Sequence, residues 1–321
     1  MKVALVGATG VVGEQILEQF IARSFPIGEL RLFASADSGG DLIDFAGEPL
    51  SVGVLSAEAF AGIDLAIFAT PAEVSRDWCP VAIAAGARCI DLSAASRLDD
   101  SGQLLVAGVN TERLSGALLS TPASLTVQLA LLLEPLRRVA ELRGVLVTTV
   151  APASAQGRKG LAELQKQAGE LLNGRPAISQ VFSSQLAFNG IPSADGDLER
   201  ALSDELRKVL RLADLNIHIN RLQLPLFYGE GAFVRVELCS AVKTEQIKSA
   251  LAAAEALDLQ EEVELPELID AVGEGELLVH LCASPTEPTS VFDLWYTADN
   301  AGRCAAGNTV RLAEMVAPRV G

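Results

Sequence analysis

The chain has 321 residues, half of them hydrophobic, enough for two ordinary domains, because chains longer than about 250 residues stop enlarging a single core and split. Lys and Arg number 25 against 41 Asp and Glu, a net charge of −16. A surface that negative repels phosphate backbones and anionic headgroups, which argues against nucleic acid and membranes as partners.

In chain order, residues 2–6 form a short apolar run, followed by the turn Gly7-Ala8-Thr9-Gly10-Val11-Val12-Gly13 and a helical pattern through Ile16, Leu17, Phe20 and Ile21. Strand-like runs recur at 29–34, 65–69, 88–92 and 104–106, separated by helix-compatible stretches such as 75–85. That alternation predicts an α/β domain with a Rossmann-like, doubly wound parallel sheet. After a helix expected over 124–133, longer strands at 144–150, 216–224, 232–241 and 291–297 alternate with amphipathic helices over 160–172, 197–212 and 244–257. The second half therefore reads as an α+β domain with a mixed sheet. The acidic stretch 260–267 reads as a solvated loop, and 300–316 has helical period and is expected to pack back on the first domain. The division expected is 1–127 with the returning helix of 300–321, and 128–299.

The five cysteines, Cys79, Cys89, Cys239, Cys282 and Cys304, show no CxxC pair and no histidine cluster nearby; they read as reduced core thiols and no metal is expected. With no apolar run of about 18 residues and no leader pattern ahead of the first strand, a cytoplasmic location is expected.

Glycines between a first strand and a first helix let backbone N–H groups approach a pyrophosphate at the positive end of the helix. Gly7, Thr9, Gly10, Val11, Val12 and Gly13 are accordingly the expected dinucleotide contacts; a purely structural turn is the alternative, since the spacing departs from the commoner GxGxxG. The second strand runs out into Ser35 and Asp37, where such folds face the adenosine ribose. An acid there accepts from a free 2′-hydroxyl and repels a 2′-phosphate, favouring NAD over NADP; otherwise Asp37 is a loop cap.

The segments Cys89-Ile90-Asp91-Leu92-Ser93 through Arg97, Val109-Asn110, Ser154 with Gly157 and Gly160, Ala187-Phe188-Asn189-Gly190-Ile191-Pro192, and Asp299-Asn300 with Ala305-Ala306-Gly307-Asn308 follow the glycine turn in order. Together they resemble the aspartate-semialdehyde dehydrogenase family, and within it the USG-1-type homologues that lack the catalytic cysteine. The resemblance implies an amino-acid biosynthesis fold with a dinucleotide-binding and a dimerisation domain, a homodimer joined through the second domain, cofactor contacts at Ser154, Asn300 and Asn308, and a small anionic ligand gripped by Arg97 with Glu199. It also implies a reaction in which a cysteine thiolate forms a thioester, a histidine moves the proton and a hydride passes between acyl group and NADPH.

The residues this reaction needs are replaced. The nucleophile position holds Ser124, the acid/base histidine position holds Glu230, a substrate-binding arginine is Gln223, the positioning glutamine is Ala151, the substrate-site lysine is Ala201, and the basic residue for the 2′-phosphate is Asp37. A serine hydroxyl attacks usefully only with a base beside it, and a carboxylate is a poor match for an alkoxide unless burial raises its pKa. Ser124 otherwise reads as a helix N-terminal residue, His218 and His280 as satisfied strand residues, and Cys304 as an inert buried thiol. The expected protein is a nucleotide-binding homologue without the phosphorylating aldehyde dehydrogenase activity. The alternatives are an oxidoreductase of altered substrate or mechanism using NAD, and a non-catalytic interaction or nucleotide-sensing protein.

Overall fold

The computed structural model describes residues 1–99, 101–112, 114–193, 195–260, 265–282 and 286–317, with the backbone alone at Arg303. It divides into two compact units: Met1–Val127 with the chain from Ala305 onward, and Gln128–Cys304.

In the first unit β1 (Lys2–Val6), β2 (Glu29–Ala34), β3 (Leu42–Phe45), β4 (Glu48–Val54), β5 (Leu65–Phe68), β6 (Arg88–Asp91), β7 (Gln103–Leu104) and β8 (Leu118–Ser120) form one sheet in the order β3-β4-β2-β1-β5-β6-β8-β7. Every neighbouring pair is parallel except β3 with β4. Strands covered on both faces read as continuous apolar runs, and β1 and β5 are buried through Val3–Val6 and Leu65–Phe68 for that reason. The helices α1 (Val11–Ala22) and α2 (Ala72–Ala84) lie in this unit, and α3 (Ser124–Val139) begins in it and continues in the second. Leu5, Ile16, Leu17 and Phe20 share one core cluster, whereas Ala4, Val6, Phe60, Phe68, Cys79 and Cys89 share another.

Two local features depart from expectation. The β3–β4 hairpin turns on Ala46 and Gly47, both at positive φ, an Ala-Gly pair where the recognisable signal is Asn-Gly. The strand expected over 104–106 stops at Leu104, because the Asn110 side chain accepts from Val106 N–H at 2.8 Å and donates to Leu104 O at 2.9 Å, turning the chain away.

The second unit carries β9 (Leu142–Ala151), α4 (Gly157–Leu172), β10 (Ile191–Pro192), α5 (Gly196–Leu210), β11 (Asn216–Gln223), β12 (Glu230–Val242), α6 (Thr244–Ala252), β13 (Leu257–Leu259), β14 (Leu277–Leu281) and β15 (Thr289–Ala298). The sheet order is β10-β11-β9-β12-β15-β14-β13, mixed as expected, with β9–β11 and β13–β14 parallel. Alternation is clean: Val145, Val147, Thr149, Ile217, Ile219, Ala232, Val234 and Val236 are buried, whereas Leu146, Thr148, His218, Phe233 and Arg235 are exposed on the other face. The helix expected to reach residue 257 stops at Ala252, and Leu257 instead pairs with Leu277.

Not every cysteine is a core residue. Cys79, Cys89 and Cys304 are buried, but Cys282 is half-buried and Cys239 is exposed, because the register shift between Glu237 and Leu238 turns the end of β12 outward. His218 is exposed, and His280, on β14, buries an Nδ1 with no hydrogen-bond partner among the described residues, so neither is the satisfied strand histidine expected.

The chain returns to the first unit through a widened π-helical segment, Asn300–Gly307, and then α7 (Asn308–Val316), whose Val310, Leu312 and Ala313 join the cluster around Leu5 and Ile16. Residues 318–321 of the expected returning helix, and 261–264 of the acidic stretch, lie outside the described residues.

Candidate functional site

The glycine turn stands between β1 and α1. Gly7 has φ +90°, and a Cβ there would sit 2.2 Å from Ala69 O; a Cβ at Gly13 would sit 2.1 Å from Gly7 O. Both positions exclude a side chain on packing grounds alone. Gly10 is the N-cap of α1, with only a 3.3 Å approach to Gly7 O, and has no side chain to satisfy the N–H groups of Val11, Val12 and Gly13. An uncapped first turn directs backbone N–H groups and the positive end of the helix dipole outward, which fits a bound pyrophosphate. Thr9, Gly10, Val11 and Val12 are half-exposed at this end. Ser35 stands at the N-cap position of the single turn Ala36–Ser38 that follows β2, without a side-chain cap, and Asp37 is exposed in that turn.

Across β1 and β5, the segment after β6 is built around Asp91, 1% exposed. Its Oδ1 accepts from Ser93 N–H at 2.9 Å, and its Oδ2 from Ser93 Oγ at 3.0 Å and Ser96 Oγ at 3.1 Å. This network shapes the loop that carries Arg97, whose guanidinium donates to Leu92 O at 2.5 Å and Thr121 O at 3.1 Å. Arg97 is thus held in place by backbone carbonyls. Ser124 is the first residue of α3, a helix of 16 residues. A thiolate there would be stabilised by the helix dipole, but a hydroxyl does not ionise in this range and gains nothing comparable. Asn308, expected near the cofactor, accepts from Ala107 N–H at 2.9 Å and donates to Leu105 O at 3.1 Å and Thr121 Oγ1 at 2.6 Å, tying α7 to the loops beside β7 and β8.

In the second unit three positions at which the resemblance implies replacements, Ala151, Gln223 and Glu230, lie at the ends of neighbouring strands. Gln223 closes β11 in register with Ala151 at the end of β9, and its Nε2 donates to Ala151 O at 2.8 Å. Glu230 opens β12 opposite Ala298. It is 3% exposed, and its Oε2 accepts from Gln128 Nε2 at 2.7 Å, while Gln128 Oε1 accepts from Tyr296 Oη at 2.8 Å. Burial pushes the Tyr296 hydroxyl well above its ordinary pKa, with the Glu230 carboxylate and Cys304 adding to the shift, so Tyr296 remains a neutral donor. Sequence reasoning missed Gln128 and Tyr296: they lie 102 and 66 residues from Glu230 in the chain and carry no local signal.

Ser154 donates to Asn300 Oδ1 at 3.3 Å, which brings two of the expected cofactor residues together. Glu199 sits half-buried in the first turn of α5, where its carbonyl accepts from Ser203 Oγ at 2.9 Å. Among the described residues no group of three or more His, Cys, Asp or Glu side chains could hold a metal, and no helix is long and apolar enough to cross a membrane.

Comparison with known proteins accords with this arrangement. Residues 2–117 match the family of the semialdehyde dehydrogenase NAD binding domain, and residues 133–301 that of the semialdehyde dehydrogenase dimerisation domain. A USG-1 protein homolog from Azotobacter vinelandii is 38% identical over 98% of this chain and 97% of its own length. Aspartate-semialdehyde dehydrogenase 2 from Vibrio cholerae serotype O1 is 31% identical, again over 98% and 97%. The crystal structure of aspartate semialdehyde dehydrogenase II from Vibrio cholerae, complexed with ASA, superposes with a TM-score of 0.92 at 31% identity, covering 98% of this chain and 97% of that one.

Proposed function

This chain belongs to the aspartate-semialdehyde dehydrogenase family, and from that premise we propose that it is a dinucleotide-binding homodimer that does not carry out the family's phosphorylating aldehyde dehydrogenase reaction. The observation that carries this reading is the buried chain from Tyr296 through Gln128 to Glu230. Where the family has a histidine that exchanges protons, this protein has a carboxylate engaged in a packed hydrogen-bond network. The nucleophile position compounds the loss, because Ser124 offers a hydroxyl in place of a thiol, and an oxyester carbonyl accepts hydride less readily than a thioester would.

The first unit supplies the nucleotide end. The N–H groups of Val11, Val12 and Gly13 would hold a pyrophosphate, and Asp37, exposed beyond β2, would accept from the ribose hydroxyl and repel a 2′-phosphate, selecting NAD over NADP. When bound, such a dinucleotide supplies a hydride acceptor or donor; the residues named here only bind and orient it. Arg97 is the residue to which the family resemblance assigns contact with a small anionic ligand. We place the homodimer contact on the exposed face of the second unit's sheet, where Leu146, Phe233 and Val291 flank the Arg235–Asp293 ion pair at 2.7 Å.

Two measurements test the reading. Isothermal titration is expected to show micromolar NAD binding and much weaker NADP binding, and a spectrophotometric assay is expected to show no phosphate-dependent oxidation of aspartate semialdehyde with either. Turnover at ordinary enzyme rates would overturn the loss of activity. Sedimentation as a monomer at micromolar concentration would overturn the dimer.

A further inference from the structure

A cavity of about 670 Å³ lies within the first unit, between α2 and the segments that follow β6 and precede β8. That volume is in the range of small-molecule sites, about 300 to 1,000 Å³. Two adjacent ridges of α2 form one wall, Ser75, Cys79 and Ile83 on the first and Arg76, Pro80 and Ala84 on the second, each spaced by about four residues as neighbours on a helix are. At about 1.5 Å per residue the wall is about 13 Å long.

The two ends of this wall differ. Because α2 follows β5, it starts where the parallel strands finish, and Asp91, which ends β6 in register with Phe68 at the end of β5, lines the cavity there with Ser75, Arg76 and Ser96. α2 finishes where β6 begins, and Ile83, Ala84 and Leu118, the partner of Cys89, make that end apolar. Both charges at the polar end stand without an opposite partner. Among the described residues no Lys, Arg or His nitrogen comes within 4.0 Å of the Asp91 carboxylate, and no carboxylate oxygen comes within 4.0 Å of the Arg76 guanidinium. The three hydrogen bonds to Asp91 come from neutral groups and fill three of about four lone-pair positions. A carboxylate only 1% exposed is ordinarily paired with a cation. Arg76 is exposed, and its backbone carbonyl lacks the usual helix donor, because Pro80 four residues on has no N–H. Asp99 also lines the cavity, but its Oδ1 accepts from Ser101 N–H at 2.9 Å.

We propose that this cavity binds a free α-amino acid with an apolar side chain. Its ammonium group pairs with Asp91 and the Arg76 carbonyl, its carboxylate takes the Arg76 guanidinium, and its side chain runs along α2 toward Ile83 and Leu118. Each part of the ligand answers one part of the site. An amine without a carboxylate would meet the Arg76 charge uncompensated, a carboxylate without an ammonium would face Asp91, and a polar side chain would lose water against the apolar end. The site uses none of Ser124, Gln223 and Glu230, so it holds whether or not the family reaction is lost.

The test is isothermal titration of the full-length protein with L-leucine, with isocaproate, which lacks the ammonium group, and with isopentylamine, which lacks the carboxylate. The same titrations are run on Arg76→Gln and Ala84→Trp variants. Leucine should bind the wild type more tightly than either fragment does. It should weaken about tenfold or more in Arg76→Gln, which removes the fork from its carboxylate, and in Ala84→Trp, which fills the apolar end. Both positions are exposed, so the thermal midpoint should stay that of the wild type in each variant. The site is overturned if leucine fails to bind the wild type, if either fragment binds as tightly as leucine, or if Arg76→Gln binds leucine as the wild type does. The NAD titration and the oxidation assay report separately, so failure of the dinucleotide reading or of the proposed loss of activity leaves this site standing.

Discussion

The glycine turn of the first unit and the strand ends of the second were both inherited from a family of enzymes, yet they have been held by different constraints. At Gly7 and Gly13 a side chain would collide with backbone at 2.2 Å and 2.1 Å, so these residues persist whether or not a nucleotide binds. At Ala151, Gln223 and Glu230 the backbone makes the same sheet with several residue types, and packing adapts around them, as Gln128 and Tyr296 do around Glu230. Retention of a turn is thus weak testimony for ligand binding, whereas the identities at the strand ends, which packing leaves open, carry the proposed change in chemistry.

Substitution would sharpen this contrast most at the turn. Gly13→Ala should destabilise the protein by about 3 kcal/mol, as overpacking against rigid backbone does, read as a fall in the urea midpoint. Gln223→Arg, placing there the arginine that the resemblance implies, should change the stability read from that midpoint by no more than about 0.5 kcal/mol. If the two substitutions cost the same, the division between packing-held and chemistry-held positions is wrong. Gln128→Leu should cost about 2 kcal/mol, because it leaves both the Glu230 carboxylate and the Tyr296 hydroxyl buried without that partner, and Tyr296→Phe about 1 kcal/mol; thermal unfolding measures both.

Asp37→Ser removes a repulsive charge from the ribose end and should strengthen NADP binding about tenfold by titration, with little change in stability. Ser124→Cys should fold as the wild type and still fail to oxidise aspartate semialdehyde, since Ala151, Gln223 and Glu230 remain as they are. Measurable turnover from that single change would mean the strand ends kept more chemistry than their identities imply.

The smallest effect concerns Arg235 and Asp293. The Arg235 hydrogen bond holds the Asp293 carboxyl below its ordinary pKa. The folded form therefore gains stability that is complete above the ordinary carboxylate range and is lost as the pH falls through the lowered value. Because both side chains are about half exposed in the single chain, solvent screening keeps the gain small there. An Arg235→Gln variant should flatten the stability profile between about pH 5 and pH 3.

Most of the architecture was legible from the residues, because the first unit's central strands are unbroken apolar runs and the second unit's alternate with period two. What escaped had a physical cause. Ala253 to Leu257 is a run of helix-forming residues, but pairing of Leu257 with Leu277 outweighs that weak preference. At the site, the motifs gave the identities of Ser124, Gln223 and Glu230. They could not give the bridge from Glu230 to Tyr296, which exists only once distant strands are paired.

Asn308 ties the folding of the first unit to the end of synthesis. Its side chain joins backbone at Leu105 and Ala107 and the hydroxyl of Thr121, contacts that close the first unit with a residue about two hundred positions downstream. A ribosome delivers the strands β1 to β8 of that unit first and its closing helix last, after the whole of Gln128–Cys304 has been made. The second unit is contiguous in the chain and can complete itself first, while the nucleotide turn waits with its sheet uncovered on the α7 side. A gene fragment ending at codon 127 would encode the glycine turn and lack the helix that covers its core.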